Sequence, residues 1–241
     1  MVRLKAYPKM RIATKTLTTS PFPLEIWFGT LALIVWLIHL EVVSGQETVV
    51  VDVEYVRLTN ERAQKIVSRL ELKDAGRELR VRDQIAKFYR DLNAIHSKRD
   101  AELKSTNSLH KDDAGTREAS FAKALSESEA KQFRLHYAFL GGLGAELDGD
   151  EIELVKNGLT YDVVPKTLQQ YFKLHPKLTP EQKRTIHRLL LEAREHAMDA
   201  GSSEEKHGMF RKYKGQINTF LSAEGYDAKQ AERDLKASQE K

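Results

Sequence analysis

Apolar side chains recur every three or four residues along most of this chain, which is the spacing of one face of an α-helix. The pattern is clearest near the C-terminus. A helix is predicted over 180–199, because Thr179 is a natural N-cap and Gln182 completes a capping box with it. A second helix is predicted over 203–225, with Ser202 as its cap. The two helices together predict a helical hairpin.

An earlier helix is predicted after Asp74, where apolar positions are spaced by four, three, four and three residues: Val81, Ile85, Phe88, Leu92 and Ile95. Continuing this apolar stripe leads to Arg99. A buried guanidinium needs a carboxylate, or an anionic or hydroxyl-rich ligand, as its partner. The candidate carboxylates are Asp100, Glu195 and Asp199. In the alternative interpretation, Arg99 lies beyond the packed part of its helix and reaches water.

The rest of the chain indicates an all-α fold. The stretch 104–118 is polar and lacks helical periodicity, so it is predicted to be an exposed loop. The sequence has no internal repeat and no alternation of strands with helices. We therefore predict an irregular bundle of six to eight helices that forms a single domain over 58–238. The same spacing predicts its other helices at 59–70, 121–147, 150–157, from 165 onward, and 227–237.

The N-terminal segment 1–45 has the order of a secretory signal peptide. A basic start precedes a thirteen-residue apolar run at 26–38, and small residues ending at Gly45 follow. Because this run is shorter than the roughly 20 residues of a spanning helix, cleavage after Gly45 is favoured over an uncleaved signal anchor. Residues 46–57 are predicted to be an extended segment. The protein is thus expected to be periplasmic or secreted, or tethered to the inner membrane.

The net charge of +4 and the sequence pI near 9.0 do not describe the helical part of the chain. Residues 1–45 carry five Lys or Arg against two Glu, which supplies +3 of that total. The remainder is nearly neutral and offers no basic field for a phosphate backbone. We expect no nucleic-acid partner, and membrane contact only through an uncleaved N-terminal segment. The chain has no cysteine, so packing alone must hold its helices together.

Common catalytic signatures are missing from the sequence, including the GxSxG elbow, the GxxxxGK[ST] phosphate loop and the HExxH zinc pair. Glu192, His196 and Asp199 can share one helix edge, and His207 can join them from the next helix. A paired motif on another helix, which metal sites in bundles use, is absent. Surface pairing of Glu192 with His196 explains the same residues, so we expect no metal and no cofactor.

Four segments, at 62–72, 81–101, 158–171 and 193–227, resemble in the same order a bacterial family of exported proteins of unknown function. That family is described as sugar-binding and is associated with polysaccharide-utilisation gene clusters. The resemblance covers nearly all of residues 58–230. It implies an extracytoplasmic role with carbohydrate and carries over no catalytic residue.

Sugars are bound by aromatic faces together with planar polar groups that reach several hydroxyls. We hypothesise that the end of the helix after Asp74, the Tyr161 segment and the hairpin at Gly201 form one polar cleft. It would receive a saccharide, and an acidic one could be neutralised by Arg99 or Lys214. The predicted ligand-binding residues are His96, Arg99, Asp100, Tyr161, Glu195, His196, Asp199, His207, Tyr213 and Lys214.

Two other classes of function stay open. A polysaccharide lyase or glycoside hydrolase could draw its acid and base groups from His96, His196, His207 and Tyr213, or a carboxylate pair from Asp100, Glu195 and Asp199. A periplasmic helical chaperone or scaffold is the other class, because the LTPEQ sequence at 178–182 resembles helix starts in small proteins of that kind. A scaffold would present an exposed apolar groove rather than a polar cleft.

Overall fold

The computed structural model describes residues 52–227 together with Gln230, Ala231 and Arg233. Within 52–227 it contains seven α-helices and no strand, which confirms the predicted all-α class. The helices are α1 (Val53–Val67), α2 (Ala75–Leu109), α3 (Ala114–Gly144), α4 (Gly149–Leu159), α5 (Val163–Leu174), α6 (Pro180–Met198) and α7 (Ser203–Ala223).

The C-terminal hairpin follows its capping signals. Thr179 Oγ1 accepts a hydrogen bond from the backbone N–H of Gln182 at 3.2 Å, and the Gln182 side chain accepts one from the N–H of Thr179 at 2.9 Å. Ser202 Oγ accepts from the backbone N–H of Glu205 at 3.1 Å. Each bond satisfies a donor that the first turn of a helix leaves free. The predicted starts of α6 and α7 are confirmed.

Two stretches predicted to be non-helical are helical in the structure. The exposed loop predicted at 104–118 is reduced to a turn at 110–113 between α2 and α3. The helical residues on both sides of this turn lie mostly in solvent, so they need no apolar stripe. Asp113 caps α3 by accepting a hydrogen bond from the N–H of Thr116. The extended segment predicted at 46–57 also gives way to helix from Val53, which Asp52 caps through the N–H of Tyr55. Capping and packing outweigh the β propensity there.

The residues before Pro165 form a tight turn. Tyr161 and Asp162 have left-handed φ angles of 60° and 56°, and α5 then begins at Val163. The predicted signal or anchor at 1–45 lies outside the described residues, as does most of the helix predicted at 227–237. Among the residues that the structure describes, no helix has the length and apolar character that crossing a membrane requires.

The described helices bury two separate apolar cores. The first lies among α1, α2, α3 and α4, and it also takes Met198 from the end of α6. The second lies among α5, α6 and α7. The boundary between the two cores, which we call the seam, is crossed by α6.

A close helix contact brings α4 onto α1 in the first core. A Cβ atom placed on Gly158 would lie 2.9 Å from Cγ1 of Ile66, closer than carbon atoms approach without displacement. Ile66 is buried and its β-branched side chain is stiff, so it has little room to yield. Glycine at position 158 therefore sets how near the two helices come.

Replacing Gly158 with Ala should lower the free energy of unfolding. Overpacking a dense core costs about 1–3 kcal/mol, which exceeds the roughly 1 kcal/mol that Ala gains over Gly in a helix. The matched control is Gly141→Ala on α3, where an added Cβ meets nothing within 4 Å and stability should rise slightly. Urea denaturation of both variants measures the difference. Equal stability of the two variants would refute the close contact.

Candidate functional site

A cleft with a volume of about 690 Å³ opens at the seam. It is walled by α1, α2, the α4–α5 turn, the start of α5 and the α6–α7 turn. Two kinds of side chain dominate its wall, basic groups and tyrosines, and we call it the basic cleft. Its charged and aromatic lining residues are Tyr55, Arg62, Lys65, Arg69, Tyr89, Tyr161, Asp162, Lys166 and Lys206.

Tyr161 stands at the rim of the basic cleft on the left-handed turn. Its ring is 47% exposed and stacks on the His207 ring, with centroids 5.4 Å apart and planes inclined by 16°. Two neighbours hold the turn in place. Arg69 donates to both carboxylate oxygens of Asp162 at 2.8 and 3.1 Å, and Lys166 donates to the carbonyl oxygen of Tyr161 at 3.0 Å. These bonds help hold two non-glycine residues in a conformation that ordinarily costs energy.

Lys206 lies deep in the basic cleft. Its side chain reaches back from α7, where Nζ donates to the carbonyl oxygen of Leu159 at 3.0 Å. Nζ also lies 5.6 Å from the centroid of the Tyr89 ring, and the Arg62 guanidinium approaches the same ring at 6.0 Å. Burial, helped by the Arg62 charge and opposed by Asp199, lowers the pKa of Lys206 to about 8. The cleft therefore holds a desolvated ammonium group next to a second cation.

The turn between α6 and α7 is fixed by Asp199, whose two bonds to histidine we call the Asp199 anchor. His96 of α2 donates through Nε2 to the backbone carbonyl of Asp199 at 2.8 Å. His136 of α3 donates through Nδ1 to the Asp199 carboxylate at 3.0 Å. Gly201 lies two residues after Asp199, and a Cβ atom placed on it would lie 3.0 Å from the His96 ring. The turn that lines the cleft is thus pinned from two other helices.

A buried ionic network extends the anchor along α6. Nε2 of His136 lies 3.4 Å from Glu195, and the hydrogen bonds to Asp199 and then Glu195 raise the pKa of His136 to about 9. Burial disfavours the ionised form of Glu195, but His136, Lys156 and Arg194 outweigh it and lower the pKa of Glu195 to about 2. Arg194 is only 2% exposed. At neutral pH these shifts keep His136 protonated and Glu195 ionised.

The other predicted ligand residues lie elsewhere. Arg99 is partly buried and pairs with Asp100 at 2.7 Å, beside a recess of about 280 Å³ between α2 and α3. His196 stacks on Tyr213, at 6.1 Å between centroids, on the face of the α6–α7 hairpin. Lys214 borders a groove of about 390 Å³ between α5 and α7, which His207 also lines. Of the ten predicted residues, only Tyr161 itself lines the basic cleft, while the Asp199 anchor supports the cleft's turn.

A family profile matches most of the chain. The profile is that of the family "Protein of unknown function (DUF3826)", and it spans residues 56–240. The chain belongs to the DUF3826 family. No curated protein matches it. The match thus covers all of α2–α7 and most of α1, including the Asp199 anchor and every lining residue of the basic cleft except Tyr55.

The predicted site residues of this DUF3826 domain do not include Arg194, His136 or Lys206. The spacing of the apolar positions nevertheless indicates each of them. Arg194 lies four residues from both Leu190 and Met198, on the buried face of its helix. His136 lies three and seven residues before the apolar positions at 139 and 143, on the same face of its helix. Lys206 is four residues before Phe210 in the apolar stripe. A charged residue within an apolar stripe is predicted to be buried, and the structure shows which groups it contacts.

The paired carboxylates and histidines of the DUF3826 domain form ion pairs rather than a metal shell. Within the described ranges, no group of three or more His, Asp or Glu side chains is arranged to hold a metal ion. His136 uses both ring nitrogens toward Asp199 and Glu195, so a protonated ring bridges the two carboxylates. Chemically, the network can hold charge in place and keep α6 aligned with α3 and α4.

The contribution of His136 to the stability of the DUF3826 domain should fall as pH rises through the pKa of this residue. The folded pKa of about 9 exceeds the ordinary 6.5, so the stabilisation is complete below about pH 6.5 and is lost as pH passes 9. The loss should be about 1–2 kcal/mol, after allowance for solvent screening of the partly exposed carboxylates. Urea unfolding of the wild type and of His136→Gln at pH 6.5 and pH 9.5 measures it.

The wild type is compared with His136→Gln because Lys206 changes the free energy of unfolding with pH in the opposite direction. The difference between the two proteins leaves only the contribution of His136. The folded pKa of Lys206 of about 8 lies below the ordinary 10.5, so its cost to stability shrinks as pH rises between those values. The control is His187→Gln, which removes an exposed histidine of α6 and should keep the wild-type pH dependence. An unchanged pH dependence in His136→Gln would show that the anchor histidine is not charged.

Proposed function

We propose that this protein is an exported carbohydrate-associated protein that binds a saccharide in the basic cleft as an accessory to polysaccharide breakdown. The observation that carries the proposal is Tyr161, a solvent-accessible aromatic ring held on a left-handed turn at the rim of the basic cleft. Strained backbone that the surroundings fix in place is a feature of ligand sites. An aromatic face at a cleft mouth suits the apolar face of a sugar ring.

The cleft has the size and chemistry that a saccharide requires. Its volume of about 690 Å³ lies within the range of small-molecule sites. Beyond the tyrosine faces, Asn93 and the hydroxyls of Ser202 and Ser203 line it, and these groups can exchange hydrogen bonds with sugar hydroxyls. A chaperone or scaffold predicts an apolar groove, whereas basic and tyrosine side chains dominate this wall. The residue types therefore favour a polar ligand over a protein segment.

The resemblance that the sequence bears to exported proteins of polysaccharide-utilisation clusters supports the same function. Export itself depends on the segment 1–45, which lies outside the described residues. The proposal for the helical domain does not require that segment, since all the groups that form the cleft lie between Tyr55 and Lys206. Binding can thus be measured on the chain from residue 46 onward, the form that cleavage after Gly45 would leave.

Tyr161→Ala should weaken saccharide binding about tenfold or more, because it removes the aromatic face at the rim. Calorimetry against a panel of neutral and acidic oligosaccharides measures the effect. The matched control is Tyr137→Ala on α3, which deletes another exposed tyrosine that does not line the cleft. The proposal fails if no saccharide of the panel binds, or if both tyrosine variants bind as the wild type does.

Cleavage of the saccharide is a second candidate function, and one observation favours it. Lys206 has its pKa lowered to about 8 in the cleft, so a fraction of its amine is neutral near physiological pH and can accept a proton. Release of reducing ends or unsaturated sugars during incubation with the same panel tests for this activity. Lys206→Arg should keep a positive charge while abolishing proton transfer, so lost cleavage with retained binding would assign the base.

A further inference from the structure

The buried ammonium of Lys206 lacks a carboxylate partner. Its side chain is 6% exposed and carries three donors, of which one is taken by the carbonyl oxygen of Leu159. No other acceptor for Nζ is found among the described residues. The nearby Asp199 carboxylate favours the charged form of Lys206, but it is bonded to His136. A buried cation satisfied by a single carbonyl costs stability unless something else neutralises it.

The charges around Lys206 do not balance within the cleft wall. Arg62, Lys65 and Lys166 also line the cleft, and none of them pairs with a carboxylate among the described residues. The lining contains one acid, Asp162, and Arg69 takes both of its oxygens. Low-dielectric walls lined by one sign of charge focus an electrostatic field into the space between them. The cleft therefore attracts anions.

The first turn of α7 adds donors at the same place. Ser202 and Ser203 line the cleft, and the first backbone N–H groups of a helix carry partial positive charge with no partner inside the helix. The Glu205 side chain turns back to accept from the N–H of Gly201 at 2.8 Å, so it is bonded within the turn. Side-chain cations and the helix start thus act on one region of the cleft.

We propose that the saccharide bound in the basic cleft carries an anionic group, a carboxylate or a sulfate, which pairs with Lys206 and Arg62. This inference rests on the proposed saccharide-binding function. It replaces Arg99 and Lys214 as the neutralising groups, because Arg99 already pairs with Asp100 and Lys214 lines a different groove. Charge-assisted hydrogen bonds to a desolvated ammonium would give the acidic sugar its advantage over a neutral one.

Binding of matched acidic and neutral oligosaccharides tests the inference. The probes are trigalacturonate with its methyl ester, and maltotriose in sulfated and unsulfated forms, measured by calorimetry on the chain from residue 46. At least one acidic member should bind about tenfold or more tightly than its neutral partner, and added salt should narrow the difference. Which of the two acidic probes binds identifies the anionic group as carboxylate or sulfate.

Lys206→Met should remove the preference for the acidic member, and Lys206→Arg should retain it. Met fills the buried space without a charge, so the variant is expected to fold, and thermal unfolding verifies this. If it does not fold, Arg62→Gln, a change at an exposed side chain, should still narrow the preference. Lys212→Met is the control, since it deletes an exposed charge of the same helix that does not line the cleft.

Two outcomes overturn the inference, and they differ from failure of the proposed function. Neutral saccharides that bind as tightly as acidic ones, with loss of binding in Tyr161→Ala, would refute the anionic group and leave saccharide binding intact. A preference that survives in both Lys206→Met and Arg62→Gln would place the anionic group elsewhere and refute the inference. No binding of any probe would reject both proposals.

Discussion

One residue at the end of α6, Asp199, joins the two halves of the helical domain. Its carbonyl and carboxylate accept hydrogen bonds from His96 and His136, which belong to two helices of the first core. The helix that ends at Asp199 belongs mainly to the second core, and only Met198 reaches across to the first. Because α7 begins four residues later, its direction and the position of Lys206 are set at this point. Together with the bond from Lys206 to the carbonyl oxygen of Leu159, that constraint fixes the lysine of the cleft relative to its tyrosine wall.

The charged side chains at the seam fall into two groups. In the ionic network, three acids face three bases: Glu153, Glu195 and Asp199 opposite Lys156, Arg194 and His136. A balanced buried network adds little net stability but penalises any other alignment of its helices, because breaking it strands a desolvated charge. In the cleft, cations outnumber acids. The first group is neutralised within the fold, whereas the second has no full set of counter-charges among the described residues. This difference separates structural charge from functional charge more reliably than burial alone.

The sequence predicts those elements whose signals are local. The bounds of α6 and α7 follow from Thr179, Gln182 and Ser202, since a cap satisfies donors within its own turn. The residues near 104–118 offer Asp113 as a cap but show no apolar stripe, because a helix in solvent needs none. The functional site is harder to predict from the sequence than the helices are. Phasing marks both Arg99 and Lys206 as charges on apolar faces, but whether each is buried depends on the neighbouring helix. Arg99 finds Asp100 beside it, while Lys206 is covered by residues far away in the sequence.

The cations of the cleft can be divided further by what each already contacts. Arg69 neutralises Asp162, and Lys166 bonds the carbonyl of Tyr161, so both stabilise the left-handed turn that presents the aromatic ring. Lys206 and Arg62 instead both contact the Tyr89 ring. The electronegative face of one ring compensates the charge of one cation better than the charges of two. An anion inserted between them would relieve their mutual repulsion and satisfy the free donors of Lys206 together. Arg69 and Lys166 at the rim thus hold the turn of the site. The pair Lys206 and Arg62 at its inner end selects a negatively charged ligand.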